Sequence, residues 1–212
     1  MKFSPQTIRL ARYVVWTCIA VIAIWLLTQG FPDESSALLI VVFASVIALG
    51  LFRYFAEDRE FITLLFLAAL TIRLAFGIVI HIYDFRDFFG GDSMTYDFLG
   101  QAIADYWLGV VDAKDSAYLL ASNTNRPGWG MSYIVGAIYL VLGKNIIAAQ
   151  SFCAVIGAAT APMVYFCAKK IFINQNVAKT AGLGVAFFPS FVIWSSQLLK
   201  DGLIIFLLVL VI

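Results

Sequence analysis

Phe88-Phe-Gly-Gly-Asp-Ser-Met-Thr-Tyr-Asp97 is a polar, aspartate-containing segment that lies between long apolar runs. The apolar runs dominate the chain, since 62% of its 212 residues are hydrophobic and 13% are charged. Soluble domains contain roughly half apolar and a quarter charged residues. The composition therefore predicts an all-α polytopic membrane protein, and it assigns any chemistry to polar segments such as 88–97.

The apolar runs on either side of this segment are long enough to cross a membrane. A helix needs ~20 apolar residues to do so, because its backbone polar groups must be bonded within the segment. The sequence offers about six candidate runs, at approximately 10–29, 35–53, 61–82, 146–168 and 177–194, with a last run from about 198 to the end of the sequence. Residues 1–60 supply two of these predicted spans. The last run ends without a closing charge or turn, which predicts that 61–212 is the front part of a longer module.

The basic residues predict the orientation of the spans, since Lys and Arg of short loops gather on the cytoplasmic side. They lie at the start of the first run, at Lys2, Arg9 and Arg12, and at the turn between the second and third runs, at Arg53 and Arg59. The N-terminus is therefore predicted to be cytoplasmic. The protein would be a multi-pass protein of the plasma or inner membrane, with the loop 83–145 on its outer face.

The segment 129–142 decides the topology of the residues that follow it. At 1.5 Å per residue it covers only ~21 Å, whereas the hydrocarbon core is ~30 Å thick. As an interfacial helix it would leave the next basic cluster in the cytoplasm, namely Lys169, Lys170 and Lys179. As a span it would force this cluster outside, so the charges and the short length favour the interfacial helix.

The outer loop contains an aspartate-rich amphipathic segment. Seven aspartates and no glutamate lie in the loop, at Asp84, Asp87, Asp92, Asp97, Asp105, Asp112 and Asp115. From Asp92 to Trp107 apolar residues recur at helical spacing, which predicts a helix along the membrane surface. Asp92 or Ser93 can cap its first turn. A carboxylate at this place can also orient an acceptor hydroxyl, so a structural and a catalytic role for Asp92 both stay open.

Three motifs in order carry a family resemblance: Arg73-Leu74 in a span, Gly91-Asp92-Ser-Met-Thr-Tyr96, and Asn125-Arg126-Pro-Gly-Trp129. Together they resemble the first outer loop of GT-C membrane glycosyltransferases, such as protein O-mannosyltransferases and lipid A aminoarabinose transferases. Leu198-Leu-Lys200-Asp201 is similar to the place where that family has another acidic residue. The resemblance covers about 61–212. It departs from the family at Ser93, often acidic there, and at Pro127-Gly128, often two prolines.

The resemblance implies transfer of a sugar from a polyprenyl-phosphate donor to a lipid, glycan or protein acceptor on the outer face, with inversion. Asp92 would be the catalytic residue that accepts the acceptor's proton. Tyr96, Arg126, Lys200 and Asp201 would bind substrate, with Arg126 or Lys200 stabilising the leaving phosphate. Because phosphate leaves as a stable anion, no second carboxylic acid is needed.

Arg73 lies near the middle of the third run, where a charge is costly and usually faces a partner or a wet cavity. Three explanations stay open for it. Arg73 could line the path of a lipid phosphate, pair with an acidic residue of helices outside this sequence, or extend toward an interface.

Other functional classes are less well supported by the composition. The net charge of +1 provides no basic face for nucleic acid. No cofactor is predicted and no zinc site, because the chain has three cysteines in apolar runs and one histidine. A divalent cation held by aspartates stays open. The alternatives are a transporter or lipid-handling protein, which would be expected to show inverted repeats with broken helices, and an inactive truncated relative. We find no internal similarity between the first three predicted spans and the last three.

Overall fold

The computed structural model describes residues 32–85 and 91–212, together with 13, 14 and 17. In 32–85 and 91–212 the chain forms helices and no strand, so the predicted all-α fold is confirmed for this part. The helices are α1 (Pro32–Phe55), α2 (Arg59–Ile82), α3 (Asp92–Trp107), α4 (Ser116–Ser122), α5 (Trp129–Leu142), α6 (Ile146–Phe172), α7 (Gln175–Phe187), α8 (Pro189–Ser195) and α9 (Asp201–Val211).

Three of these helices are long and apolar enough to cross a membrane: Ser36–Phe55 within α1, α2, and α6. They confirm the predicted runs 35–53, 61–82 and 146–168. The predicted count of about six spans is not confirmed. The run 10–29 lies outside the described residues except at 13, 14 and 17, and α9 has 11 residues.

The run 177–194 is not one straight helix. It forms α7 and α8, which are bent by 55° at a short break and together count as at most a fourth span. Pro189 begins α8 and has no backbone N–H to bond the carbonyl of Val185 four residues earlier. The sequence analysis predicted a single span here, and the proline is the physical reason for the difference.

The core of the bundle lies between α2 and α6, with α1 and α7 packed against them. Its α6 side consists of small buried residues such as Ala154, Ala158 and Ala161, which face larger residues of α2 such as Phe66 and Leu70. Small side chains let helix backbones approach closely, which is how helices associate where no hydrophobic effect drives them together.

Two ion pairs identify the helix ends that lie together. Lys169 Nζ is 2.6 Å from Glu57 Oε2, and Lys179 Nζ is 2.6 Å from Asp58 Oδ2. The α6–α7 turn therefore lies beside the α1–α2 turn, at one end of the bundle. This arrangement agrees with the interpretation in which 129–142 does not cross the membrane and the lysine cluster stays beside Arg53 and Arg59.

The helix α5 packs instead along α3, and the two backbones nearly touch. A Cβ atom on Gly100 would lie 2.3 Å from Val135 Cγ1, and one on Gly136 would lie 2.8 Å from Ile103 Cγ2. Tyr139 Oη also donates to Asp97 Oδ1 at 2.6 Å. These contacts hold α3, which carries Asp92 and Tyr96, closely against α5.

The predicted amphipathic helix is present as α3, but its apolar residues do not form one face. Leu99 and Ile103 are buried against neighbouring elements, whereas Met94 and Phe98 are about half exposed. The helix therefore has one apolar side packed on protein and a second apolar group that is available to a membrane interface.

Candidate functional site

Asp92 is the first residue of α3, and its side chain does not cap the helix. Gly91 occupies the N-cap position, and this helix start has no side-chain cap hydrogen bond among the described residues. The prediction that Asp92 caps this helix is therefore wrong. The prediction that Ser93 caps it is also wrong, because Ser93 lies inside the helix. The Asp92 side chain stays 69% exposed, with Oδ2 at 3.9 Å from Lys200 Nζ.

Lys200 comes from the short turn between α8 and α9 and reaches α3. Its Nζ donates a hydrogen bond to Tyr96 Oη at 3.2 Å, across a separation of 104 residues. Leu198 and Leu199, which precede it, are buried in the same cluster as Tyr96 and the start of α6. The structure thus brings together three of the five predicted site residues, which we call the Asp92–Tyr96–Lys200 cluster.

The environment of Lys200 favours its charged form. The hydrogen bond to Tyr96 is the main cause that raises the pKa of Lys200 above its ordinary value, and the nearby charges of Asp201 and Asp92 add to it, while burial acts in the opposite direction. The cluster therefore presents an ammonium group at neutral pH, beside a phenol and an exposed carboxylate.

Gly128 closes the cluster from the loop that precedes α5. Its φ of +78° lies in the left-handed region, which favours glycine. A Cβ atom here would lie 2.3 Å from Tyr96 Oη and 3.2 Å from Lys200 Cδ. The position therefore requires glycine both for its backbone conformation and for its contact with the cluster, and the sequence analysis missed it as a site residue.

Arg126 and Asp201, the other two predicted site residues, make different contacts. Arg126 Nη1 donates to the carbonyl of Leu120 at 3.2 Å, and its side chain has no hydrogen bond or ion pair with the cluster. Asp201 lines an open groove of about 670 Å³, whose walls include Phe188, Phe191 and Trp194. Asp201 directly follows Lys200, and its charge acts on it, but the structure shows no hydrogen bond or ion pair from Arg126 or Asp201 to the cluster.

Arg73 is completely buried, and it bonds backbone rather than an acidic side chain. Its Nη1 donates to the carbonyls of Ala69 at 2.9 Å and Ala186 at 3.0 Å, and its Nη2 donates to that of Val185 at 3.4 Å. Its Nε donates to Ser195 Oγ at 2.8 Å. No carboxylate of the described residues forms an ion pair with it, and full burial rules out extension toward an interface.

Metal ligands are not grouped in the part of the chain that the structure describes. There, no three His, Cys, Asp or Glu side chains lie close enough together to hold an ion. Comparison with protein-family models, with curated proteins and with solved structures found no match to this chain. The resemblance to GT-C glycosyltransferases therefore rests on the motif residues and their spacing.

Proposed function

We propose that this protein transfers a sugar from a polyprenyl-phosphate donor to a hydroxyl group of a lipid, glycan or protein acceptor, with inversion. The observation that carries the proposal is the Asp92–Tyr96–Lys200 cluster, in which a cation, a phenol and an exposed carboxylate meet at one helix end. A lipid-phosphate donor needs the cation and the acceptor hydroxyl needs the carboxylate.

The location of the cluster supports a reaction at a membrane surface. Lys200 lies near the start of α6, whereas Lys169 and the α1–α2 turn lie near its end. With 27 residues, α6 is about 40 Å long, which exceeds the hydrocarbon core. Lys and Arg of short loops favour the cytoplasmic side, which supports a cytoplasmic Lys169 end and a cluster at the outer face.

In the proposed reaction, the acceptor oxygen attacks the anomeric carbon as the bond from that carbon to the phosphate oxygen breaks. Asp92 accepts the proton of the attacking hydroxyl, for which its exposed carboxylate is suited. The departing lipid phosphate is an anion, and the Lys200 ammonium stabilises its charge. Tyr96 accepts from Lys200, so its own hydrogen can be donated to a phosphate oxygen.

The remaining predicted residues fit substrate binding at the edge of this cluster. Asp201, the residue directly after Lys200, lines a groove with aromatic walls. Aromatic and apolar walls with one carboxylate suit the body of a sugar lipid, whose hydroxyls can donate to the carboxylate. Arg126 lies in the loop of Gly128, and we retain it as a second cation for the donor.

One observation favours the transporter as a second candidate. The helices α7 and α8 are short and are bent by 55° at their junction, and transporters often bind substrate at such breaks. At this break, however, the carbonyls of Val185 and Ala186 are already bonded by Arg73. Two carbonyls at the break are therefore already paired with a cationic side chain, which disfavours a second cation there, and we prefer the transferase.

The proposal is tested with sealed vesicles that contain the protein and a panel of radiolabelled polyprenyl-phosphate sugars. We expect label to pass to acceptors for one donor and not in vesicles without the protein. Label that stays on the donor, with intact donor moved across the vesicle membrane, would replace the transferase by a transporter. If no donor loses its label and none is moved across the membrane, an inactive relative would be the better explanation.

Alanine at Gly128 is expected to weaken donor binding about 10-fold, because the new Cβ would displace Tyr96 Oη from Lys200. The matched control is Gly143→Ala. Gly143 has nearly the same φ, +77°, and its ψ of 174° strains alanine at least as much, but nothing lies within 4 Å of its added Cβ. Donor affinity measured by equilibrium binding should fall only in Gly128→Ala. Equal losses in both variants would mean that backbone strain, and not the contact with Tyr96, causes the effect.

A further inference from the structure

We propose that Arg73 is a positioning residue for the candidate site: it holds the break between α7 and α8 and thereby fixes Lys200 beside Tyr96. The part of this inference that concerns donor affinity rests on the proposed function, whereas the part that concerns geometry does not. Arg73 contacts neither Asp92 nor Tyr96 in the structure, so it would act through the chain segment that carries Lys200.

The break leaves carbonyl groups that need donors. Within α7, the carbonyl of Val185 would bond the N–H four residues later, but that residue is Pro189. An unbonded carbonyl away from water is costly, most of all at membrane depth. Arg73 supplies donors to Val185 and to Ala186 at once. The guanidinium thus takes the place of the backbone donors that a straight helix would have used.

The charge of Arg73 also fits the end of α7. The carbonyl end of a helix carries a partial negative charge, which stabilises a cation placed there. The ring of Phe191 in α8 adds a cation–π contact, with its centroid 5.0 Å from Arg73 Cζ. One planar group therefore touches the last turn of α7 and the body of α8. Lysine cannot replace it fully, because a single ammonium cannot reach all these acceptors in one plane.

Ser195 connects Arg73 to the candidate site. Its Oγ accepts from Arg73 Nε at 2.8 Å, and its Cβ would lie 2.5 Å from a Cβ on Gly157 and 3.1 Å from one on Gly202. Ser195 is therefore tightly enclosed by α6 and α9. Lys200 follows five residues later, through a segment that is buried, so a shift of Ser195 is transmitted to Lys200.

The geometric part is tested by spin labels on the exposed positions Met94 in α3 and Ile204 in α9, after replacement of the native cysteines by alanine. Pulsed electron–electron double resonance spectroscopy gives the distance between the two spin labels. We expect Arg73→Met to shift or broaden the distance distribution and Arg73→Lys to restore it in part. Thr71→Val, which removes only a bond to the carbonyl of Leu67 within α2, should leave it unchanged. An unchanged distribution in Arg73→Met would overturn the inference.

The functional part is tested by a double-mutant cycle on donor affinity with Arg73→Met and Lys200→Met. If Arg73 acts through Lys200, Arg73→Met weakens binding about 10-fold in the wild type and has no further effect once Lys200 is methionine. Additive losses would contradict this role. Should Arg73→Met fail to insert into the membrane, Ser195→Ala replaces it, because this variant removes the hydrogen bond from Arg73 Nε to Ser195 Oγ. Ser195→Ala must then weaken donor binding by a smaller factor, and have no further effect once Lys200 is methionine. Absence of any donor binding in the wild type would contradict the proposed function alone, because the spin-label distances do not depend on a donor.

Discussion

Asparagine at position 92 is expected to lower the rate of sugar transfer by roughly 10²–10⁴-fold, the range that a positioned general base contributes. Asparagine has nearly the same shape as aspartate but cannot accept the proton of the attacking hydroxyl. Folding should be little affected, because the Asp92 side chain caps nothing and is 69% exposed, and its pair with Lys200 at 3.9 Å is a surface ion pair of small value. Initial rates at saturating donor and donor affinity, measured separately, check this prediction.

The control for this variant is Asp105→Asn in the same helix. The Asp105 carboxylate accepts a hydrogen bond from Gln101 Nε2 at 2.6 Å and lies about three and a half turns away from Asp92. We expect transfer to be retained in this variant. Transfer at the normal rate by Asp92→Asn would remove Asp92 from the mechanism, and equal losses in both variants would indicate that α3 is disturbed as a whole.

The long apolar runs could be predicted well because the bilayer imposes a simple requirement on length and composition. Three of them are single helices in the structure. The break near Pro189 was visible in the sequence, but a run that stays apolar on both sides of a proline does not say whether the helix bends or ends. The donor that makes the break tolerable is Arg73, 112 residues before Val185, and helical periodicity cannot reveal such a pairing.

The site was partly predictable for the same reason. Asp92 and Tyr96 are four residues apart, so helical spacing alone places them on one face. The family resemblance pointed to Lys200, but the contact of Tyr96 with Lys200 depends on where α9 begins, which the sequence does not encode locally. Gly128 carried a usable signal, since a Pro-Gly pair is typical of a tight turn with a left-handed residue. What the glycine contacts, Tyr96 Oη, is a tertiary fact that the pair does not encode.

Arg73 shows where reasoning about buried charge needs the structure. The sequence analysis offered three explanations: a lipid phosphate, an acidic partner, or extension of the side chain toward an interface. Each of them assumes that the guanidinium must contact a negative charge or water. The structure satisfies the guanidinium with backbone carbonyls, a hydroxyl and an aromatic face. A broken helix end supplies backbone carbonyls that can accept hydrogen bonds from a guanidinium, and the proline was the signal that such an end existed.

Methionine at position 200 is expected to lower donor affinity about 10- to 100-fold, which is the range for a hydrogen bond to a charged group. The methionine side chain retains most of the apolar stem of lysine, so packing beside Gly128 and Tyr96 should be largely preserved. The rate at saturating donor should also fall, because the leaving phosphate loses its cation. Equilibrium binding of the donor and transfer rates at several donor concentrations separate these two effects.

The pH dependence of binding gives an independent check on Lys200. Its pKa is raised, chiefly by the hydrogen bond to Tyr96, so the ammonium is present at lower pH and is lost only when the pH rises through this raised value. Donor affinity of the wild type should thus stay constant between about pH 7 and pH 9, since the phosphodiester does not titrate there either, and fall at higher pH. In Lys200→Met the fall at high pH should disappear.

A matched variant, Lys144→Met, shows whether the loss of donor affinity is specific to Lys200 or follows from removal of any lysine near the candidate site. Lys144 Nζ lies 3.6 Å from Asp97 Oδ2, so it pairs with an aspartate of α3 much as Lys200 does, but its side chain is 55% exposed and does not contact Tyr96. Its removal should leave donor affinity unchanged. Equal weakening in both variants would mean that the donor responds to the general charge of this surface, and the specific role of Lys200 would have to be given up.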